Sequence, residues 1–234
     1  MLSNKFRVNY SVGAVANGVK TDTFTFFLLF FYSNIIGLNP GLAGSAIFIA
    51  LCIDAITDPL MGTISDRTNS SFGRRHPYMF ISFIPMSLGY ILLFAPRQEW
   101  DMSQTDLFIW MTIFTVITRI GMTLFDIPHR AFGGEVTKDY KERTILMSWR
   151  EMFAWVAGLS NAFLGYGVFF ASTPEFPQGQ LNPDVWFPFA LTGAAIMVFS
   201  VLYSSLSTKD EIYSLSKWSG AISLKDIFLS LIHI

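Results

Sequence analysis

Six stretches of about twenty or more mostly apolar residues, each closed by a turn signal, leave this chain few ways to fold. They run from Ser11 to Gly37, Leu42 to Ser65, Pro77 to Ala95, Thr105 to Phe132, Ile145 to Ala171 and Val185 to Leu206. Gly-Leu-Asn-Pro-Gly at 37–41, Gly-Arg-Arg-His-Pro at 73–77, Pro-Arg at 96–97, Gly-Gly at 133–134 and Pro-Glu-Phe-Pro-Gln-Gly at 174–179 separate them. Water cannot satisfy backbone groups inside a bilayer, so a spanning segment of this kind must close its own hydrogen bonds as a helix. The spacing predicts an all-α integral membrane protein with six transmembrane helices in one bundle over residues 1–206. Residues 207–234 then read as a cytoplasmic connector and the start of a seventh helix that stops short.

Composition agrees, with 52% hydrophobic residues and only 14% charged, against about 25% charged in soluble domains. The formal net charge is −1, and the 16 basic residues are scattered over short loops, so no patch for nucleic acid is expected. Basic residues near helix ends stay on the cytoplasmic side. Lys5 and Arg7, then Arg67, Arg74 and Arg75, then Lys138, Lys141 and Arg143, then Lys209, Lys217 and Lys225 mark alternate connections, whereas the first, third and fifth loops hold only Arg97. Both termini are therefore expected in the cytoplasm, in a cell (inner) membrane surrounded by lipid. No small-residue cleavage pattern follows Lys5 and Arg7, so the first span reads as mature sequence. The single thiol, Cys52, reads as a small buried apolar residue, and the Phe-rich run at 24–31 as lipid-facing bulk.

Charges inside the spans carry the functional information. Asp54 and Asp58 are four residues apart in the second span, on one helix face, and an ionised group in hydrocarbon is costly unless something compensates it. Two acids on one face point to a cation site. In the fourth span Arg119, Thr123, Asp126 and Arg130 recur every three or four residues, one polar stripe facing a cavity or a partner helix. With the expected orientation Asp58 and Asp126 lie at similar depth. The bland alternative is that Asp58, before Pro59, and Asp126, near Pro128, serve backbone groups freed by proline. Arg119 would then be a counter-ion for Asp126, while Lys20 and Asp22 pair with neighbours in the first span. No metal cluster, nucleophile–base pair or phosphate loop is present in the sequence, so neither an enzyme nor an organic cofactor is expected.

The run Asp54-Ala-Ile-Thr-Asp58-Pro-Leu-Met-Gly-Thr-Ile-Ser-Asp66-Arg67, followed by Gly73-Arg-Arg-His-Pro77, resembles the second helix and second loop of the glycoside-pentoside-hexuronide:cation symporters, the melibiose-permease group of the major facilitator superfamily. Asp126-Ile-Pro-His-Arg-Ala-Phe-Gly-Gly-Glu135, with Asp139 to Thr144 and Ser148-Trp-Arg150, resembles that family's fourth helix, fourth loop and fifth helix. The resemblance covers most of residues 10–160. It implies one six-helix half of a major facilitator fold, in which Na+ or H+ drives uptake of a sugar, glycoside or hexuronide. By position it assigns the cation to Asp54, Thr57, Asp58 and Thr123, with Asp54 and Asp58 the sodium ligands if sodium is the ion. Thr57 stands where melibiose permease has an amide, which leaves the ion open. Asp126 and Arg150 match substrate contacts. The loop residues Gly62, Asp66, Arg67, Gly73, Arg74 and Arg75 resemble the superfamily's cytoplasmic gating signature, with Gly62 allowing close helix approach.

Two departures bear on the substrate. Gly18 stands where melibiose permease has a sugar-binding acid, with Asp22 one turn away, and Arg130 replaces a stacking aromatic. Asp22, Lys20 and Arg130 are therefore counted with the substrate residues, and Arg130 favours an anionic substrate. The superfamily fold needs two such halves, so the chain is expected to be a truncated N-terminal half whose partner is the missing C-terminal half. A dimerising half-transporter, a lipid or lysolipid carrier on the same fold, and a non-transporting scaffold or sensor are the alternatives.

Overall fold

The computed structural model describes residues 2–214, which form helices and connecting turns with no strand among them. Helix α1 covers 4–36 in pieces, Asn4–Val12, Ala14–Asp22 and Leu28–Phe30, with wide π-helical turns at Thr23–Phe27 and Phe31–Ile36. Then follow α2 (Pro40–Arg67), α3 (His76–Leu93), α4 (Gln104–Glu135), α5 (Tyr140–Phe169) and α6 (Trp186–Ser207). Five of these six are long and apolar enough to cross a membrane. The first is as long, but Asn17, Lys20, Thr21 and Asp22 interrupt its apolar character. Beyond α6, the expected connector begins as a 3-10 turn, Lys209–Ser214, and the expected seventh helix lies outside the described residues.

The helices begin where their capping chemistry says they should. The Asn39 side chain accepts from Gly41 N–H at 2.8 Å with Pro40 opening α2, and Ser103 and Asp106 form a reciprocal capping box on α4. Gln104 joins the two starts: it accepts from the Asn39 N–H at 2.8 Å and donates to the Gly37 carbonyl at 2.8 Å. Residues 39 and 104 are 65 apart in sequence, and this starting register fixes which residues of α2 and α4 meet further down.

α2 packs on α4, α4 on α3, α3 on α6, α6 on α1 and α1 on α5. Exchanging α1–α3 for α4–α6 leaves that set of partnerships unchanged, the relation expected of a three-plus-three repeat. The core lies between α1, α3, α4 and α6, around Trp186, Phe189, Phe94, Tyr90, Phe31 and Phe27. Two expectations are corrected here. Phe27 and Phe31 are fully buried against Trp186, because the wide turns bring them to the bundle side, while Phe26 remains exposed. Cys52 is exposed, since it lies on the side of α2 away from α4.

Candidate functional site

The register set at 39 and 104 continues as rungs between α2 and α4. Arg119 forms an ion pair with Asp54 Oδ2, and one turn further on the Thr123 hydroxyl donates to Asp58 Oδ1 at 2.7 Å; each pair is again 65 residues apart. Gly62 comes next, with Ile127 beside it. Asp58 thus reaches across to α4, and on the same helix Thr63 donates to the Pro59 carbonyl at 3.0 Å. Asn17, Lys20, Asp54, Asp58, Arg119, Thr123 and Asp126 line one cleft of about 70 Å³ between α1, α2 and α4. Two carboxylates from α2 and one from α4 therefore share a space with two basic side chains, in a segment where each charge needs a partner.

Asp126 is held from two sides. Arg150 of α5, fully buried, forms an ion pair with its Oδ1, and Arg130, one turn along α4, donates to Oδ2 at 2.7 Å. Glu151 completes the group, 2.5 Å from Arg150 and 3.7 Å from Arg130. A guanidinium between two carboxylates is a planar donor array of the sort that binds paired oxygens. Arg119, by contrast, pairs with Asp54 and not with Asp126, from which two helical turns separate it; the ring of Phe24 on α1 holds its other side at 5.6 Å.

Not every residue assigned from the sequence comes to the cleft. The Thr57 hydroxyl turns back to the Asp54 carbonyl of its own helix at 3.5 Å. Asp22 is buried on the opposite side of α1, where Asn161 of α5 donates to it at 2.7 Å and to Thr23 Oγ1 at 3.2 Å. That Asn161 is the one amide in the apolar middle of α5 was the available signal for this pairing. Other buried polar contacts had none: His129 stacks on Tyr10 at 4.2 Å and sits 3.0 Å from its carbonyl oxygen.

At the far end of the rungs Arg75 lies 2.7 Å from Asp66 and 2.5 Å from Glu135, and Arg74 donates to Glu135 at 2.6 Å. These pairs tie α2 and α3 to the end of α4; Glu135 was in the quoted motif but had been given no role. Gly73 (φ 74°) makes the left-handed turn that aims both arginines, and Arg67 closes α2. Close approach of α2 to α4 does not depend on Gly62, where an added Cβ would meet Ile127 at an ordinary 3.7 Å.

Residues 9–221 match the family described as MFS/sugar transport protein. The inner membrane symporter YicJ of Escherichia coli (strain K12) is 30% identical over 70% of this chain and 35% of its own length. The putative glycoside/cation symporter YagG of the same organism is 29% identical over 98% of this chain and 48% of its own. The sodium-dependent lysophosphatidylcholine symporter 1-A of Danio rerio is 28% identical over 72% and 31% respectively. The chain thus spans about a third to a half of the length of these relatives. Helices long and apolar enough to cross a membrane accompany a family match over nearly the whole length: the chain belongs to the MFS/sugar transport protein family.

Proposed function

We propose that this chain forms one six-helix half of a cation-coupled symporter, with both termini in the cytoplasm, and that Na+ or H+ drives entry of a sugar-like substrate. The observation that carries the reading is the cleft where Asp58, with the Thr123 hydroxyl on it, faces Asp54, Lys20 and Asp126. Carboxylate and hydroxyl oxygens are the ligands a hard cation uses. Asp126 with Arg150 is the substrate side, where carboxylate and guanidinium can exchange their mutual pairing for vicinal hydroxyls. Arg130 extends that side toward an acidic sugar. The Asp66–Arg75–Glu135 pairs are the cytoplasmic contacts that break and reform as two halves rock about the site. The site is completed by a second six-helix half.

The test is uptake by the complete transporter in proteoliposomes under an imposed Na+ or H+ gradient. Concentrative uptake is lost in Asp58→Asn while the unfolding temperature is retained; undiminished uptake in that variant would sink the reading. A second reading, a lysolipid carrier, is supported by the Danio rerio relative and by an apolar groove of about 510 Å³ between α1, α5 and α6, lined by Val15, Val19, Phe153, Val156 and Ile196. It predicts that lysophospholipid displaces the transported substrate and that free sugars do not.

A further inference from the structure

We infer that Arg119 is a tethered cation that occupies the Asp54 end of the α2 acid pair and so weakens binding of a free monovalent cation there. This rests on reading the cleft as a cation site. Three observations converge on it. Arg119 is placed from two other helices, by its ion pair with Asp54 on α2 and by the Phe24 ring of α1. Its side chain is only 14% exposed, so the guanidinium belongs to the interior of the site and not to a loop. The second oxygen of the same carboxylate, Asp54 Oδ1, is buried and has no hydrogen-bond partner among the described residues.

An ion seated on Asp54 Oδ1 would lie a few ångström from a guanidinium that keeps its charge at any working pH. Like charges that close repel strongly even at the intermediate dielectric of a partly wet protein cleft. Thr57 offers no oxygen to offset this, because its hydroxyl is turned to its own backbone. The Asp58–Thr123 rung is left as the part of the pair open to a free ion.

Sodium binding tests the inference directly. The complete transporter in detergent is titrated with NaCl against choline chloride at constant ionic strength, and the saturable rise in unfolding midpoint is read. Arg119→Gln should bind Na+ about tenfold or more tightly than the unmodified protein, a modest fraction of the repulsion removed. Arg119→Lys, which keeps a tethered charge, should behave like the unmodified protein, and adding Asp54→Asn to Arg119→Gln should remove the gain. Asp54→Asn alone should lower Na+ affinity, since it leaves the guanidinium without its partner carboxylate in the same cleft as Asp58. The inference is overturned if Arg119→Gln binds Na+ no more tightly than the unmodified protein, if Arg119→Lys gains as much as Arg119→Gln, or, should Arg119→Gln not fold, if Arg119→Met binds Na+ no more tightly than the unmodified protein. Failure of the transport reading is separate: it appears as absence of gradient-driven uptake in the unmodified protein, whatever the sodium titrations show.

Discussion

The α2–α4 contact and the α1–α5 contact occupy matching places in the two three-helix units, yet beyond the Arg7–Glu142 pair at its start the second is built from different materials. Between α1 and α5, a Cβ on Gly18 would collide with the Ala154 backbone carbonyl, and Gly158 lies against the Gly18 carbonyl. One carboxylate, Asp22, is bound there by the neutral amide of Asn161. Between α2 and α4 the helices meet through an ion pair, a hydroxyl on a carboxylate and a loose glycine, and a cleft remains open beside them. Backbone-to-backbone packing brings α1 and α5 into direct contact and leaves only an apolar groove at their edge, whereas charged rungs hold α2 and α4 together beside a polar cleft. The symmetric scaffold therefore has one fixed seam and one adjustable seam.

Substitutions can break this contrast, and the largest effect is expected on the fixed seam. Gly18→Leu forces backbone apart and should cost at least the roughly 1–3 kcal/mol typical of overpacking, seen as loss of the monodisperse peak in size-exclusion chromatography. If that variant is well folded, the seam is not rigid. Asp58→Asn is next: the fold persists and gradient-driven uptake disappears. Asn161→Ala leaves the buried Asp22 carboxylate without its amide donor and should lower unfolding stability by about 1–3 kcal/mol, with little change in cation dependence. An effect of that variant on cation affinity as large as on stability would mean the two seams are coupled. Thr123→Val removes one hydroxyl from Asp58 and should weaken cation binding by roughly tenfold, about the worth of one hydrogen bond to a charged group, measured by the sodium titration or by the gradient needed for half-maximal uptake. Thr57→Val should change stability and uptake least, within about 0.5 kcal/mol; a loss matching that of Thr123→Val would show that Thr57 turns into the cleft during function.

Much of this was legible in the residues because a bilayer restricts what a segment can do. The six spans were located to within a few residues, and the errors have one cause: helices continue past the hydrocarbon into charged sequence. α5 begins at Tyr140 and not near Ile145, through Lys141, Glu142 and Arg143, and α1 begins at Asn4, where Arg7 reaches Glu142 at 2.9 Å. Hydropathy cannot see such extensions. The acids of α2 and the stripe of α4 were visible as residues out of place, but their pairing was not. Arg119 was matched with Asp126 because both lie on one helix, whereas the 65-residue register set by Asn39 and Gln104 assigns it to Asp54. Register between helices far apart in sequence depends on a loop contact that leaves no periodic trace. Thr57 matches the family's pattern by position, and that its hydroxyl is turned to the Asp54 carbonyl of its own helix is a rotamer that no sequence pattern shows.

The wide turns of α1 also determine how this helix would respond to insertions and deletions. A π turn holds a residue for which regular α spacing has no place, and α1 has two such turns, at Thr23–Phe27 and Phe31–Ile36. Deleting one residue within the second would let it close to ordinary pitch without breaking the helix, and the residues on either side would keep the faces they now present. Tyr32, whose hydroxyl donates to the Leu93 carbonyl at 2.7 Å, would then keep its place against α3. A one-residue deletion in 31–36 is thus absorbed by the turn, whereas the same deletion in the regular stretch Ala14–Asp22 would rotate the rest of the helix by about 100° and change which aromatic rings face the bundle.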